Sequence, residues 1–467
     1  MAQPKLTLKE KFAYGLGDMA SNIVYQAVIN VLMYFYTDVY GIEAAAAGTL
    51  MIVVRLFDAV TDPIMGGIAD RTRTKWGRYR PWMVWCAIPY GILAVAAFVT
   101  PDVPAGTKLV YAYISYALLM TAYTAVNIPY SALAGVMTSN KDERSGLQSW
   151  RFGMAMVGGF LVTVSIWPLS RLLGGGGKPE NLQLGFPFAV ALLAIVGVIA
   201  LFGCFAWTKE RIYPDEDGGA KATVTGDLTA MFRNSQWLIV TLAMLLIQIR
   251  GGLQGNVKPY FIKYYIDHDL TGLFGITEYF MALYMGLTMM AGVAGVFVAN
   301  RLFLKLGWCK VTVMKAALLG SLIPNALLLL VPRQWWQASL LLIMLANFFH
   351  MMFLPLLFAA IPDTVDYGLK TIGRGAMAMF FAGQLFALKL GISIGGGSGG
   401  WILGIFGYKA NVAQTEHSLF GIKLAFAGAP LVAAVLVVIL LHFYKLKKGW
   451  EQNEILVQRR ADFVGNT

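Results

Sequence analysis

The chain has 467 residues, of which 58% are hydrophobic and only 13% charged, and its mean hydropathy is +0.63. A soluble protein of this length carries about a quarter charged residues, so the composition excludes an ordinary water-soluble globular protein. The formal net charge of +12 does not require a nucleic-acid partner. Its distribution along the chain assigns it to a membrane surface with anionic headgroups.

Apolar runs long enough to cross a ~30 Å hydrocarbon core recur throughout. Twelve are read in chain order, spans 1 to 12: 15–38, 44–69, 81–100, 109–137, 147–174, 183–207, 236–265, 273–299, 311–331, 336–361, 375–405 and 418–444. They predict an all-α, multi-pass membrane protein. Met1–Lys11 is short and polar and the run after it is too long for a cleaved leader, so no signal peptide is expected. In one set of alternate loops the only basic residues are Lys108, Arg171, Lys178, Arg333 and Lys409. The other set, from Met1–Lys11 to the tail, is rich in Lys and Arg. The positive-inside rule then places both termini in the cytoplasm.

Several spans carry polar groups that a bilayer penalises. Span 1 has Asp18 and Asn22 in YGLGDMASN, spaced i, i+4. Span 2 has Arg55, Asp58 and Asp62 in RLFDAVTDP. A charge at bilayer depth costs between ~2.5 and more than 10 kcal/mol and is rarely left without a use. The i, i+4 spacing puts both carboxylates on one helical face, with Arg55 nearby, and two converging carboxylates offer a small cation oxygen ligands. Span 4 has Tyr123, Thr124 and Asn127 before Pro129, and span 5 begins SGLQSWRFG with Gln148, Trp150 and Arg151. Span 7 has Gln248, Arg250, Gln254 and Asn256 in a Gly-rich stretch. Arg250 either snorkels to an interface or is buried for a purpose. Span 11 has Gln384 and Lys389 ahead of GISIGGGSGG, whose glycines read as close helix packing. Lys389 needs a cavity or a partner carboxylate, and Asp58 or Asp62 across the two halves is one candidate. Asn22 and Asn127 also read as interhelical glue, worth ~0.6–2 kcal/mol each. Tyr25, Tyr123, Tyr130 and Trp150 supply the aromatic faces that sugars stack on.

The longest polar interruption is Lys209–Gln236, where an acidic patch precedes an amphipathic stretch, GDLTAMFRNSQW, suited to the membrane surface. Six spans lie on either side. The loop after span 2, ADRTRTKWGRYRP, matches the loop after span 8, ANRLFLKLGWCKV, at a constant offset: Ala69 with Ala299, Arg71 with Arg301, Lys75 with Lys305 and Gly77 with Gly307. This register predicts a duplicated six-helix unit, the parallel repeat of major facilitator transporters. The expected division is 1–207, a middle loop 208–235, and 236–467. The basic loops are expected to latch the halves through helix ends and acidic partners. Cys86, Cys204 and Cys309 have no metal-like spacing and read as free thiols.

The stretches YGLGDMASN, FYTDVYGI, DAVTDPIMGGIADRTRTKWGRYRPW, NIPYSAL, ERSGLQSWRF, PDTVDYG (362–368) and FALKLG together resemble the glycoside–pentoside–hexuronide:cation symporters. These form the melibiose-permease-like branch of the major facilitator superfamily, and the xyloside and oligosaccharide transporters among them look nearest. The resemblance implies a twelve-helix major facilitator fold and sugar symport with Na⁺, Li⁺ or H⁺, with no cofactor beyond the co-transported ion. It implies that Asp58 and Asp62, helped by Thr124, bind the cation, which makes Na⁺ a candidate ligand of that pair. Asn22, Tyr123, Asn127, Arg151, Gln384 and Lys389 match sugar-site positions, and Asp18 is grouped with them. Arg71, Lys75, Gly77, Arg78, Asp363 and Asp366 are assigned to cytoplasmic gating. In melibiose-type members Asn22 and Asn127 are aspartates and Ser131 is a tryptophan, which points to a different sugar. Leu369–Lys370 and GRGA (373–376) also depart from the family pattern and make that loop atypical.

The expected protein is therefore a monomeric, cation-coupled sugar importer of a bacterial inner membrane. Arg151 and Lys389 leave an acidic sugar, such as a uronate or sulfosugar, open beside a neutral one. Its partners are a small sugar, a monovalent cation and the bilayer. Two rivals stand: an uncoupled facilitator or exporter of the same fold, and an intramembrane enzyme acting on lipid-linked sugars. The enzyme would need an organised acid or His, and His268, His350, His417 and His442 are scattered along the chain.

Overall fold

The computed structural model describes residues 6–138, 140–212, 229, 231–266, 276–302, 308–372 and 377–446. The acidic patch and residues 226–228 and 230 of the amphipathic stretch of the middle loop, Lys305 and Gly307, GRGA (373–376) and the end of the tail lie outside the described residues. Within them the secondary structure is helical, apart from one isolated bridge between Thr74 and Gly77.

Span 1 starts at a capping box, in which the Thr7 hydroxyl accepts from the Glu10 N–H and the Glu10 carboxylate accepts from the Thr7 N–H. It runs from Leu8 to Ala27 and continues through π turns at Val28–Leu32 and Phe35–Val39. Spans 2 to 6 are Ala44–Arg71, Arg80–Ala96, Ala105–Met137, Lys141–Gly174 and Pro179–Trp207. Span 7 is Ser235–Tyr260 with a π turn at Phe261–Tyr265, and spans 8 and 9 are Thr277–Asn300 and Lys310–Leu328. Span 10, Trp336–Ala359, leads into an amphipathic helix at Ile361–Ile372, and span 11 is Met377–Ile405. Span 12 is split into Glu416–Lys423, a π turn at Leu424–Gly428, and Ala429–His442.

Ten of the described helices are long and apolar enough to cross a membrane. Spans 1 and 3 fall outside that set. The regular helix of span 1 stops at Ala27 and contains Lys9, Glu10, Lys11 and Asp18, and span 3 has only 17 residues.

The packing of the second six spans repeats that of the first. Span 1 packs on spans 5 and 6, span 3 on spans 4 and 6, and span 2 on span 4. Correspondingly, span 7 packs on spans 11 and 12, span 9 on spans 10 and 12, and span 8 on span 10. Contacts between the halves obey the same exchange, with span 2 on span 11 and span 5 on span 8. Two equivalent bundles related by a pseudo-two-fold axis produce this pattern. Spans 1 and 7 both end in a π turn, a geometry that concentrates at functional positions.

Candidate functional site

Span 2 meets spans 4 and 11 at the boundary between the halves. Asp58 is almost wholly buried and Asp62 half-buried. The Thr124 hydroxyl of span 4 lies 2.7 Å from Asp58 Oδ1 and 3.1 Å from Asp62 Oδ1. From span 11, Lys389 Nζ stands 3.5 Å from Asp58 Oδ2 and donates to Asp62 Oδ2. A single ammonium thus bridges both carboxylates, and the partner demanded by its burial is the aspartate pair of the other half. Its position between two acidic oxygens is where a small cation would sit. Arg55 does not join this bridge. Its Nε donates to Tyr116 Oη at 2.9 Å and its guanidinium lies 5.0 Å from the centre of the Tyr25 ring. It adds positive charge behind Asp58.

A second cluster links spans 1, 4 and 5. Arg151 Nε is 3.3 Å from Asp18 Oδ2, with the guanidinium 5.2 Å above the Tyr130 ring. Tyr25 and Tyr123 stack with centroids 5.4 Å apart, and Asn127 Nδ2 donates to Tyr123 Oη at 3.2 Å. Asn22 Nδ2 donates to the Asp18 carbonyl at 3.0 Å, so its amide N–H is used within its own helix. Gln384 lies apart from this cluster. It is fully buried, its Oε1 accepts from Thr241 of span 7 at 3.0 Å, and its Nε2 has no partner. Arg250 does not snorkel: it is 1% exposed and contacts His350.

The residues assigned to gating form local structure. Gly77 has φ 110°, and the backbone N–H groups of Arg78, Tyr79 and Arg80 donate to the Glu210 carboxylate at 2.9, 2.8 and 2.9 Å. A Cβ at Gly77 would collide with that carboxylate. The Tyr79 phenol is pushed up to about 12 by burial and by its hydrogen bond to Asp70. Asp363 pairs with Lys310 at 2.7 Å, whereas Asp366, Arg71 and Lys75 are exposed and Lys75 rests on Trp76. The Glu210 cradle and the Arg211–Glu10 pair tie the start of the middle loop to the first half, and the Lys11–Glu143 and Lys310–Asp363 pairs each join residues of one half. None of these contacts runs from one half to the other.

At the opposite end the halves are joined by residues that sequence reasoning missed. Asp38, in the π turn ending span 1, accepts from Lys263 Nζ at 2.9 Å, from Tyr408 Oη at 2.6 Å and from Tyr264 Oη. Asn411 Nδ2 donates to the Asp38 carbonyl at 2.6 Å, and the Thr37 and Tyr260 hydroxyls are 2.6 Å apart. Arg171 and Glu278 add an ion pair at 2.8 Å between spans 5 and 8. Asp38 was quoted only inside FYTDVYGI. A charge at a span boundary is common, and its partners come from segments more than 200 residues away.

A bundle of apolar helices with charged groups held along the boundary of two repeated halves defines a multi-pass membrane transporter. Residues 13–448 match the family model described as MFS/sugar transport protein, and the chain belongs to that family. The inner membrane symporter YicJ of Escherichia coli K12 is 38% identical, with 95% of this chain and 93% of that protein covered. The isoprimeverose transporter of Lactiplantibacillus pentosus is 32% identical over 94% of this chain and 89% of its own length. Among solved structures, the nucleoside transporter NupG superposes with a TM-score of 0.62 at 16% identity, covering 94% and 100% of the two chains. A D-xylose-proton symporter superposes with a TM-score of 0.59 at 14% identity, covering 92% and 96%. These structures establish the shared fold. Family and fold mark the chain as a transporter and dispose of the enzyme alternative.

Proposed function

We propose that this transporter imports a glycoside or pentoside by symport with Na⁺ or H⁺, through alternating access of the halves 1–207 and 236–467. The observation that carries the proposal is Lys389 bridging Asp58 and Asp62 from the other half, with Thr124 beside them. A cation entering the pair competes with the ammonium for the same oxygens. Cation binding therefore loosens a tie between the halves and releases Lys389 toward sugar held by Asp18, Tyr123, Asn127 and Arg151. Sugar relatives such as the isoprimeverose transporter support the substrate class, and the named symporters support ion coupling. With the basic loops inside, the Asp38 cluster closes the periplasmic end.

An empty pair without Lys389 would leave buried charge uncompensated, which costs several kcal/mol and disfavours half-loaded isomerisation. One monovalent charge falling through 100 mV supplies ~2.3 kcal/mol, enough for roughly 50-fold accumulation of a neutral sugar. The test is uptake of labelled xyloside or isoprimeverose into vesicles carrying an imposed Na⁺ or H⁺ gradient. One of the two gradients should accelerate uptake, and Asp58→Asn should abolish that acceleration. Uptake indifferent to both would establish the facilitator instead.

A further inference from the structure

A cavity of about 10 Å³ lies in the boundary between the halves. Ile29, Met51 and Arg55 of the first half face Asn256, Ser393 and Gly396 of the second around it. Arg55 stands one turn before Asp58 on span 2, and Ser393 one turn after Lys389 on span 11. Span 2 begins just after Asp38 in the chain, and Tyr408, which donates to Asp38, follows the end of span 11. The cavity therefore sits one turn from the Lys389 bridge, on the side of the Asp38 cluster.

Three polar groups line it. Asn256 is 4% exposed, and its Nδ2 donates to the Gly252 carbonyl at 3.1 Å. Its Oδ1 is buried with no hydrogen-bond partner among the described residues. A buried amide oxygen in that position is costly unless a donor reaches it. Ser393 spends its hydroxyl hydrogen on the Lys389 carbonyl at 2.8 Å, so its oxygen can only accept. Arg55 spends Nε on Tyr116 Oη at 2.9 Å, so what it can offer the cavity is an Nη–H donor. A Cβ at Gly396 would lie 2.7 Å from Asn256 Nδ2, so the glycine lets span 11 come close to the amide.

These groups select the occupant. Two acceptors require donors, which excludes an anion such as chloride. The guanidinium is permanently charged, which excludes a metal cation. The volume is about that of one water probe and too small for a sugar. We propose that the cavity is a hydration site, in which one water accepts from Arg55 Nη and donates to Asn256 Oδ1 and Ser393 Oγ. Roughly three hydrogen bonds are the usual complement of a buried water. The water joins span 2 of one half to spans 7 and 11 of the other and makes Asn256 a positioning residue for Arg55. On the alternating-access reading above, this link is given up whenever the Asp38 end parts.

Radiolytic labelling of the full-length protein in lipid nanodiscs tests the site. X-ray pulses make hydroxyl radicals from water in place, so a buried methionine is oxidised only where water touches it. Met51, in the cavity wall, is 3% exposed, and Met83 at 0% and Met33 at 1% serve as comparisons. Met33 lies against Gly400 on the same boundary, closer to Asp38, and reports opening of that end. Met51 should be oxidised while Met33 and Met83 are spared. Asn256→Leu, which puts methyl groups in place of the amide, should abolish the labelling, and Asn256→Asp, which keeps an acceptor, should retain it. Should the leucine variant fail to fold, Ser393→Ala removes the other acceptor and should lower the same signal. The proposal is overturned if Met51 is as inert as Met83, if Met51 and Met33 are labelled together, or if losing either acceptor leaves the labelling unchanged. Neither sugar nor an ion gradient enters the measurement, so its outcome is independent of cation coupling.

Discussion

At the scale of single residues, Asp58, Asp62 and Lys389 were legible because each is a charge in an apolar run, where the bilayer allows few uses. What the sequence left open for Lys389 was its partner. The structure places Nζ on both carboxylates, which under the proposed coupling would make the lysine a competitor of the cation. This yields a prediction of sign. Lys389→Met leaves two facing carboxylates without their ammonium, so cation affinity rises while sugar transport falls. A charge pair at 4 Å is worth about 4 kcal/mol near a protein surface, so a gain of at least roughly tenfold in cation affinity is expected. Isothermal titration of Na⁺, or titration of the pair's protonation followed by carboxylate infrared bands, measures it. An unchanged or weaker affinity would mean that Lys389 does not compete for the site. Arg250 shows the limit of residue-scale reading. Snorkelling and burial are both open to an arginine mid-span, and only the packing around His350 separates them.

At the scale of helices, the glycine run of span 11 was legible as packing, but the sequence does not say against what. The structure divides the run between two neighbours. Gly391 and Gly395 meet the span 7 backbone at Leu245 and Ile249, while Gly397 and Gly400 meet span 2 at Gly48 and Ala44. A short stretch thus holds span 11 to its own half and to the other one. A side chain at Gly400 would press on Met33 Cε at 2.5 Å, on Gly48 Cα at 2.8 Å and on the Ala44 carbonyl. Overpacking of this kind costs about 1–3 kcal/mol, so Gly400→Val should lower the thermal midpoint in detergent. Gly67→Ala, where an added Cβ meets nothing within 4 Å, serves as the comparison and should leave the midpoint close to that of the wild type. Equal midpoints for the two variants would show that the span 2–span 11 contact yields freely. The two half-sequences share the basic-loop register, and the helix pairings repeat as it implied. The function of those loops is not legible in their sequence, because a short basic loop looks alike whether it caps its own helices or grips the other half. Around Arg78–Arg80, Glu210 accepts three consecutive backbone N–H groups and fixes the turn.

At the scale of the whole molecule, one end of the boundary is tied and the centre is bridged by ion pairs. Asp38 receives Lys263, Tyr264, Tyr408 and Asn411 from the other half, while Lys389 holds the middle. None of this tie was legible, because it depends on two π turns that bring the ends of spans 1 and 7 together and on a loop residue, Asn411, held at φ 58°. If alternating access opens this end, each of its bonds biases the equilibrium toward the closed form, and removing the strongest charged partner should open it. Breaking a buried ion pair by deleting one partner costs 3–5 kcal/mol, although Lys263 is partly accessible and should contribute about 1–2 kcal/mol after solvent screening. Lys263→Met should therefore raise the open population roughly tenfold. A cysteine placed at buried Thr37 (2% exposed) and treated with a membrane-impermeant maleimide reports that population directly. Labelling should be slow with Lys263 present and roughly tenfold faster in the Lys263→Met background, with saturating sugar reshaping both rates. A labelling rate indifferent to Lys263 would mean that the Asp38 cluster fills space at this end and that the bias toward closure comes from the helix contacts of spans 2 and 11.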